Sequence, residues 1–401
     1  MTIAAVPTQS ELFALSSAHL RIQTEARRIA AEFAPRAREI RQHLLDHSEM
    51  HPELWALFCD RGWPGAALPG DYGGTGGGLL AMTVVLEAFA EHNIVLWMPV
   101  LSAAIAHAIS QAGPDIARDV WVRRVACGEV FLAMATTEAK AGHNLFRTTT
   151  EIRRNGDHFI VRGLKSITSG LDVADRVLVF GRPPKTADGK PTGYTTVLVD
   201  PRAPGATMTE LSMRHREGVK QYQLELNDVC VPQEDLIGVE GQGLMVMWPF
   251  THVERVLTAA LCLGVAGYAI TQSVRRAKER VVSGTLPIGA NQAIAHPLAA
   301  LHSRLEATRL FVYRTAARFD AGVDGFDIAG HANMAKLLTA DLAFDATDHA
   351  MQVMGADAWD ERQGWLDSYL DARLSRSGPV SNEFALNYIT EHLLGLPTHT
   401  S

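Results

Sequence analysis

The chain has 401 residues, a formal net charge of -7 at neutral pH and a hydrophobic share of 47%. This length predicts two or three packed subdomains. The modest charge, with no basic patch interleaved with aromatic residues, argues against a nucleic-acid partner. The four cysteines lack metal-binding spacing, so we expect no metal site and reduced, mostly buried thiols. We find neither a secretory signal nor an apolar run of membrane-spanning length, which predicts a soluble, cytoplasmic protein with no membrane partner.

Residues 1–128 are predicted to form a helical domain. Apolar residues near its start recur at spacings of four and three, as on one face of a helix: Ile22, Ala26, Ile29 and Phe33. The glycine-rich stretch Leu68–Gly76 then requires a tight, irregular loop. Taken alone, this loop is equally well explained as a surface connection between helices.

Residues 129–240 have a different sequence pattern and are predicted to form a β-barrel-like domain. Short β-rich runs are separated by Gly, Pro, Asp and Asn, as expected for an all-β region. The runs are Glu151–Arg154, His158–Arg162, Arg176–Phe180, Tyr194–Val199 and Tyr222–Leu226. Asn155-Gly156 lies between the first two runs and has the turn chemistry of a tight two-residue hairpin.

Residues 241–401 return to a helical pattern. Three long apolar stripes, starting at Val256, Leu301 and Leu337, alternate spacings of four and three, and a shorter stripe follows through Phe384–Leu394. Such stripes predict an antiparallel four-helix bundle. The predicted fold class is therefore α+β, with an N-terminal α-helical domain, a middle β-barrel-like domain and a C-terminal four-helix bundle.

The most informative stretch is Leu132–Thr168. It contains the loop T-E-A-K-A-G-H-N at Thr137–Asn144 and the run K-S-I-T at Lys165–Thr168. Together they resemble the flavin-binding segment of the acyl-CoA dehydrogenase family, where the loop reads T-E-P-x-A-G-S-D and the strand K-W-I-T. The Leu68–Gly76 loop and the Val229–Pro232 boundary resemble further segments of that family. The order of the three domains matches too, so the resemblance covers nearly the whole chain.

The resemblance implies that FAD is bound around these two segments. In the family, the threonine of the loop and that of the strand hydrogen-bond the flavin, roles that fall on Thr137 and Thr168. His143 stands at the family's pyrophosphate-binding Ser, and Ser166 replaces a Trp that stacks on the flavin. The residues that the resemblance places at the flavin are Met134, Thr136, Thr137, Gly142, His143, Ser166 and Thr168.

A second cofactor segment lies in the last domain. The family builds each FAD site across a dimer interface, with an Arg and a Q-x-x-G-G turn from the neighbouring subunit on the adenosine diphosphate. Arg280, Gln352 and Gly355 match these positions, although Ala356 replaces the second Gly. The resemblance therefore implies a homodimer or a homotetramer. The alternative for Arg280 alone is a solvated helix residue.

The predicted catalytic base is Glu254. Most family members place a catalytic Glu in a C-terminal turn where this chain has Ser377, and a Ser hydroxyl cannot act as the base unaided. An isovaleryl-CoA-type branch carries its Glu directly before a common Arg in the first helix of the last domain, which matches Glu254 and Arg255. Favourable charge near a helix start is the alternative explanation for Glu254. Arg255 is predicted to face the pantetheine–phosphate part of the substrate, or else to form an outward ion pair.

The resemblance implies FAD-dependent α,β-dehydrogenation of an acyl thioester, carried by CoA or by a carrier protein, with electrons passed to an electron-transfer flavoprotein. Two alternatives stay open at this point. One is an inactive or half-site subunit of a heteromeric acyl-CoA dehydrogenase. The other is a flavin oxidase or monooxygenase on the same scaffold.

Overall fold

The computed structural model describes residues 15–142, 144–184, 193–213, 218–323 and 325–397. Its N-terminal part is helical. The helices are Ser17–Phe33 (α1), Ala37–His47 (α2), Pro52–Asp60 (α3), Gly78–Ala90 (α4) and Trp97–Ala112 (α5). Short helical turns lie at Ala34–Arg36, Trp63–Gly65, Gly70–Tyr72, Asp115–Ala117, Arg118–Val122 and Arg123–Ala126.

Local sequence explains how this region folds. α1 starts where the Ser16 side chain accepts a hydrogen bond from the His19 backbone N–H, and three of the four predicted stripe residues are buried on its inner face. The glycine-rich loop between α3 and α4 is as tight as predicted. A Cβ on Gly74 would lie 1.9 Å from the Leu68 carbonyl oxygen, so only glycine fits there.

The described residues of the middle region form eight strands in two four-stranded sheets. The strands are Leu132–Ala135 (β1), Glu151–Asn155 (β2), His158–Ser169 (β3), Arg176–Gly181 (β4), Thr195–Val199 (β5), Ala206–Glu210 (β6), Gln221–Pro232 (β7) and Leu236–Ile237 (β8). One sheet has the order β1-β4-β5-β8 and the other β2-β3-β7-β6. β1 pairs with β4 in parallel and the remaining pairs are antiparallel. Within the described residues no barrel closes, so the barrel-like expectation was wrong in that respect.

The hairpin prediction is confirmed with a shift of one residue. Asn155 pairs with His158 at the end of the β2–β3 ladder, so Gly156 and Asp157 form the two-residue loop. Gly156 has a φ of +66°, a conformation that L-residues other than Asn and Asp adopt at a cost. β3 then continues to Ser169, seven residues beyond the predicted run, because it pairs along its length with the equally long β7.

The C-terminal region is built on three long helices, Gly243–Glu279 (α6), Gln292–Asp320 (α7) and Gly325–Met354 (α8). Two short helices, Trp365–Ser375 (α9) and Asn382–Tyr388 (α10), follow. Further short helical turns are Leu145–Arg147, Gln233–Asp235, Ile288–Ala290, Gly355–Trp359, Glu361–Gln363 and Ile389–Leu393. The predicted fourth stripe, Phe384–Leu394, falls on α10 and on the helical turn Ile389–Leu393 that directly continues it, although Phe384 itself is 43% exposed.

α6 is the central element of the molecule. It packs against α4 and α5 of the N-terminal region as well as against α8, and its buried residues belong to the core of both regions. An 18-residue window of α6 has a mean hydropathy of 1.5, which is enough by length and composition to cross a membrane, contrary to the expectation of no such run. Because 89% of that window is buried inside the protein, the apolar character of α6 is that of a core helix.

A buried polar cluster ties α4 to α7. Glu87 is 1% exposed, and its two carboxylate oxygens accept hydrogen bonds from Arg309 Nε at 2.6 Å and from the Tyr313 hydroxyl at 2.5 Å. Burial raises the pKa of Glu87 while the Arg309 charge opposes that rise. A carboxylate buried this deeply requires such partners, so the cluster fixes the relative position of the two helical layers.

The cysteine prediction was wrong on burial. All four thiols are free, but only Cys262 is buried, whereas Cys127 and Cys230 are exposed and Cys59 is intermediate. Cys127 lies at the end of a helical turn and Cys230 on the solvent face of β7. The spacing of the cysteines gave no indication that these two positions are exposed.

Candidate active site

A buried ion pair organises the loop that follows β1. The Lys165 ammonium on β3 lies 2.8 Å from Glu138 Oε1 in the loop, and both side chains are almost fully inaccessible. The same ammonium donates to the Phe180 carbonyl at 2.7 Å and to the Thr136 carbonyl at 3.3 Å. One side chain thus joins the loop, β3 and β4.

The Glu138 carboxylate is saturated with donors. Thr149 donates through its backbone N–H at 2.7 Å and its hydroxyl at 2.6 Å, and Thr150 does the same at 3.0 and 2.7 Å. The Thr148 hydroxyl is a further donor. Burial alone would raise the pKa of Glu138, but the Lys165 charge and these hydrogen bonds hold it well below its usual range. Burial lowers the pKa of Lys165 to about 8, with Glu138 opposing the shift.

A bulge in β3 presents the predicted flavin residues. Lys165 pairs with Leu224 and Thr168 with Tyr222, so three steps on β3 match two on β7. The released Ser166 backbone N–H donates to the Thr137 carbonyl at 2.8 Å, which fastens the loop to the strand. Bulges commonly redirect side chains at functional sites. Here the structure brings Thr137, Ser166 and Thr168 together.

Thr168 has an unused hydroxyl. The residue is 1% exposed, and its Oγ1 has no hydrogen-bond partner among the described residues. A buried hydroxyl without a partner is costly, which indicates a group that a ligand satisfies. This observation fits a flavin edge at Thr168.

The other predicted flavin residues line the same segment. Met134 lies in β1, half-buried against the helical core, and Thr136 follows that strand. Gly142 has a φ of +55°, and no atom lies within 4 Å of the position that a Cβ would occupy, so its backbone is open to a ligand. His143 lies outside the described residues.

Glu254 lies on the buried part of α6 and is 9% exposed. The neighbouring Arg255 is partly buried, and burial lowers its pKa while the charges of Glu254 and Tyr388 oppose that shift. Its Nε has no partner among the described residues. The arrangement places a carboxylate and a guanidinium on one turn of a core helix.

His252, one turn before Val256, was not recognised from the sequence. It is 3% exposed, and its Nε2 has no partner among the described residues. Burial lowers the pKa of His252 to about 4, helped by the nearby charges of Arg255 and His107. The imidazole is thus neutral at physiological pH and adds a polar group beside Arg255.

Ser377 differs sharply from Glu254 in its surroundings. It is exposed, and its hydroxyl accepts only a long contact of 3.4 Å from Arg373. The turn that carries it is held by the fully buried Lys336, whose ammonium donates to the Val380 carbonyl at 2.5 Å and to Asn382 Oδ1 at 2.8 Å. Ser377 therefore lacks both the buried position and the ionisable group of a catalytic acid or base.

The three residues predicted to hold the adenosine diphosphate line one cavity of about 630 Å³ at the far end of α6 and α8. Arg280 ends α6, Gln352 lies in the last turn of α8, and Gly355 follows with a φ of +64° and open space where a Cβ would be. Ala356 also lines the cavity. The ion pair between Arg276 and Asp357, at 2.7 Å, borders it. The structure thus assembles residues that are more than 70 positions apart in the sequence.

Comparisons with known proteins identify the family of the chain. The N-terminal, middle and C-terminal domain models of acyl-CoA dehydrogenases match residues 16–129, 133–229 and 241–394. The acyl-CoA dehydrogenase FadE12 of Mycobacterium tuberculosis is 36% identical over 360 residues, covering 89% of this chain and 92% of the relative. The chain belongs to the acyl-CoA dehydrogenase family.

Solved structures support the same fold for this acyl-CoA dehydrogenase. A glutaryl-coenzyme A dehydrogenase complex with glutaryl-CoA superposes with a TM-score of 0.85 at 23% identity, covering 97% of this chain and 98% of that chain. An FAD complex of PigA gives 0.85 at 22% identity, covering 96% and 99%. The predicted order of helical, β-sheet and helical regions is confirmed.

The family assignment makes the protein an FAD-dependent oxidoreductase acting on CH–CH bonds, with acyl-CoA dehydrogenation as the family reaction. The residues present fit FAD, because Thr168 offers an unpartnered buried hydroxyl and both Gly142 and Gly355 leave open backbone. The comparisons do not favour the half-site or oxidase alternatives.

Proposed function

We propose that this acyl-CoA dehydrogenase converts saturated acyl-CoA thioesters to α,β-unsaturated ones, with Glu254 as the base that removes the α-proton. The observation that carries this proposal is the contrast between two positions. Glu254 is a buried carboxylate on a core helix beside the partly buried guanidinium of Arg255, whereas Ser377 is an exposed hydroxyl. Of these two, only Glu254 has the chemistry of a base.

The proposed reaction removes two hydrogens in different forms. The carboxylate of Glu254 accepts the α-proton, so the electron pair of that C–H bond forms the new double bond. FAD, held by Thr137, Ser166 and Thr168 when bound, would supply the acceptor for the β-hydrogen and its electron pair. The atoms and charges balance, since the substrate loses one proton and one hydride.

The neighbours of Glu254 have supporting roles in this proposal. Arg255 attracts the negative charge on Glu254, and its partly buried position screens that attraction less than bulk water would. The neutral imidazole of His252 adds hydrogen-bonding capacity without adding charge. Both groups would orient a thioester next to the carboxylate rather than take part in proton transfer.

FAD would be held in two places. Thr137, Ser166, Thr168 and the Gly142 loop would contact the flavin end, and the 630 Å³ cavity around Arg280 would take the adenosine diphosphate end of a neighbouring copy's FAD. This proposal includes a homo-oligomer, in which each site is completed by the partner subunit. Electrons would then pass to an electron-transfer flavoprotein, as the family resemblance implies.

Replacing Arg280 with Ala is expected to lower FAD affinity about 10-fold or more, because a charge-assisted contact with a phosphate is lost. Retained flavin after gel filtration measures the effect, with Arg275→Ala on the same helix as a matched control. Full flavin retention in Arg280→Ala would show that the cavity does not take the diphosphate.

The substrate class is tested by mixing the purified, flavin-loaded protein with saturated acyl-CoAs of different lengths and an artificial electron acceptor. We expect acyl-CoA-dependent reduction of the acceptor and formation of the 2-enoyl-CoA, identified by mass spectrometry. A flavin-loaded protein that oxidises no acyl-CoA and no acyl-pantetheine would exclude the proposed function.

A further inference from the structure

A second guanidinium lies in the cavity that Arg280 lines. Arg276 and Arg280 are four residues apart at the end of α6, and both line the cavity of about 630 Å³. Residues at this spacing lie on the same face of a helix, so the two side chains are neighbours. The family resemblance that predicts a cofactor role for Arg280 does not extend to Arg276. The role of this second arginine follows from its surroundings.

Arg276 is held by one contact and keeps an unused donor. Its Nη2 donates to Asp357 Oδ2 at 2.7 Å. Its Nε, by contrast, is buried and has no hydrogen-bond partner among the described residues. A buried N–H group without a partner costs free energy, which indicates a donor that a ligand satisfies. The unpartnered hydroxyl of Thr168 is the corresponding feature at the flavin end of the site.

The charges around the cavity favour an anion. The charged side chains that line it are Arg276, Arg280 and Asp357, so two positive charges face one negative charge. Like charges four residues apart on a helix repel each other, so the two arginines are stabilised by a negative group beside them. Asp357 supplies one such charge, and the remaining excess of positive charge is left for a ligand.

Asp357 also fixes where the Arg276 guanidinium lies. Asp357 belongs to the helical turn Gly355–Trp359, so the ion pair connects the end of α6 to the turn after α8. The same turn carries Gly355, whose backbone has open space where a Cβ would be. A guanidinium held in this way loses less side-chain freedom when it binds an anion than a free one does. The cavity thus presents a prearranged cation beside an open stretch of backbone.

We propose that Arg276 is a second residue that binds the diphosphate of FAD in this cavity, next to Arg280. This inference rests on the proposed function, in which the cavity takes the adenosine diphosphate end of a neighbouring copy's FAD. A guanidinium presents its N–H groups in a fork that matches phosphate oxygens, so two neighbouring arginines can each serve one phosphate group. Each subunit would then supply two cations to the cofactor of its partner.

The test measures the binding of FAD, ADP and riboflavin to the full-length protein freed of flavin. Arg276→Ala should weaken the binding of FAD and of ADP about 10-fold or more, because a charge-assisted hydrogen bond to a phosphate is lost. Riboflavin carries the ring but no phosphate, so its affinity should stay unchanged. The affinity for ADP should also depend less steeply on salt in the variant, since one phosphate contact is missing.

The matched control is Arg275→Ala. Arg275 is exposed on the same helix and does not line the cavity, so the same loss of charge there should leave the affinity for FAD and ADP unaltered. Unaltered binding of FAD and ADP to Arg276→Ala would overturn the inference. An equal loss of riboflavin binding would overturn it too, because it would indicate a disturbed fold.

The outcome is separable from the proposed function. Weaker FAD binding in Arg280→Ala but not in Arg276→Ala would overturn this inference alone. Flavin-loaded wild-type protein that oxidises no acyl-CoA would contradict the proposed function, while a binding difference between Arg276→Ala and Arg275→Ala would still support the role of Arg276.

Discussion

Replacing Glu254 with Gln is expected to lower kcat about 10³-fold with FAD still bound, because an amide of similar shape cannot accept the α-proton. Glu254 is 9% exposed within the core helix α6, so the isosteric change should disturb packing little. Steady-state oxidation of an acyl-CoA by flavin-loaded protein measures the effect. KM should change much less than kcat, since the removed interaction acts mainly in the transition state.

The matched control is Glu279→Gln. Glu279 is exposed at the end of the same helix, so the same chemical change should leave kcat unaltered. Wild-type activity in Glu254→Gln would show that another group takes the proton. Loss of flavin from that variant would instead assign Glu254 a structural role.

Replacing Lys165 with Met should be the most destabilising single change near the site. It leaves the Glu138 carboxylate buried without its cation and removes the donor to the Phe180 and Thr136 carbonyls. Breaking one side of a buried ion pair typically costs about 3–5 kcal/mol. We expect a loss of that size in the free energy of unfolding, measured by urea denaturation, together with weaker flavin binding.

Two controls separate burial from charge. Arg162→Met on the same strand breaks a largely exposed ion pair with Asp228, and should lower the free energy of unfolding much less than Lys165→Met does. The double variant Glu138→Gln/Lys165→Met removes both charges and should recover much of the loss. Equal effects of Lys165→Met and Arg162→Met would contradict the account of the buried pair.

The pH dependence of stability tests the same Glu138–Lys165 pair independently. The pKa of Glu138 is held well below its usual value in the folded protein, so its contribution to stability is present above the unfolded value and is lost as pH falls. The loss should begin as pH falls through about 4.5. Unfolding curves of Glu138→Gln should depend less on pH in that range than those of the wild type.

The sequence identified the domain order because apolar periodicity and turn chemistry are local signals. The inner face of α1 and the β2–β3 hairpin follow from spacing and from Gly156. Strands β1, β6 and β8 were missed. β8 has two residues, and β6 reads A-T-M-T-E with little burial. Neither shows the alternation of apolar and polar residues that would distinguish a strand from a loop. Their pairing depends on neighbouring strands.

The stripe predicted on α8 was partly wrong for a related reason. Leu337 and Phe344 are only partly buried, whereas Ala335, Ala346 and Ala350 are fully inside. Alanines allow close packing against α6, so the buried face of α8 is set by the approach of another helix. Hydrophobicity alone favours the larger side chains and shifts the predicted face.

The family resemblance predicted the residues of the site, and the structure supplied their surroundings. Glu138 and Lys165 are 27 positions apart and meet only because β3 returns beside the loop after β1. Their pairing cannot be read from spacing. The partial burial of Arg255, the neutral His252 and the unpartnered hydroxyl of Thr168 also depend on packing between domains.

The most direct measurement is a single turnover without oxygen. Flavin-loaded wild-type protein and Glu254→Gln are each mixed with one acyl-CoA in a stopped-flow instrument, and the visible absorbance of oxidised FAD is followed. We expect rapid bleaching in the wild type and none on that timescale in Glu254→Gln. Bleaching at the same rate in both proteins, or in neither, would contradict the assignment of Glu254 as the base.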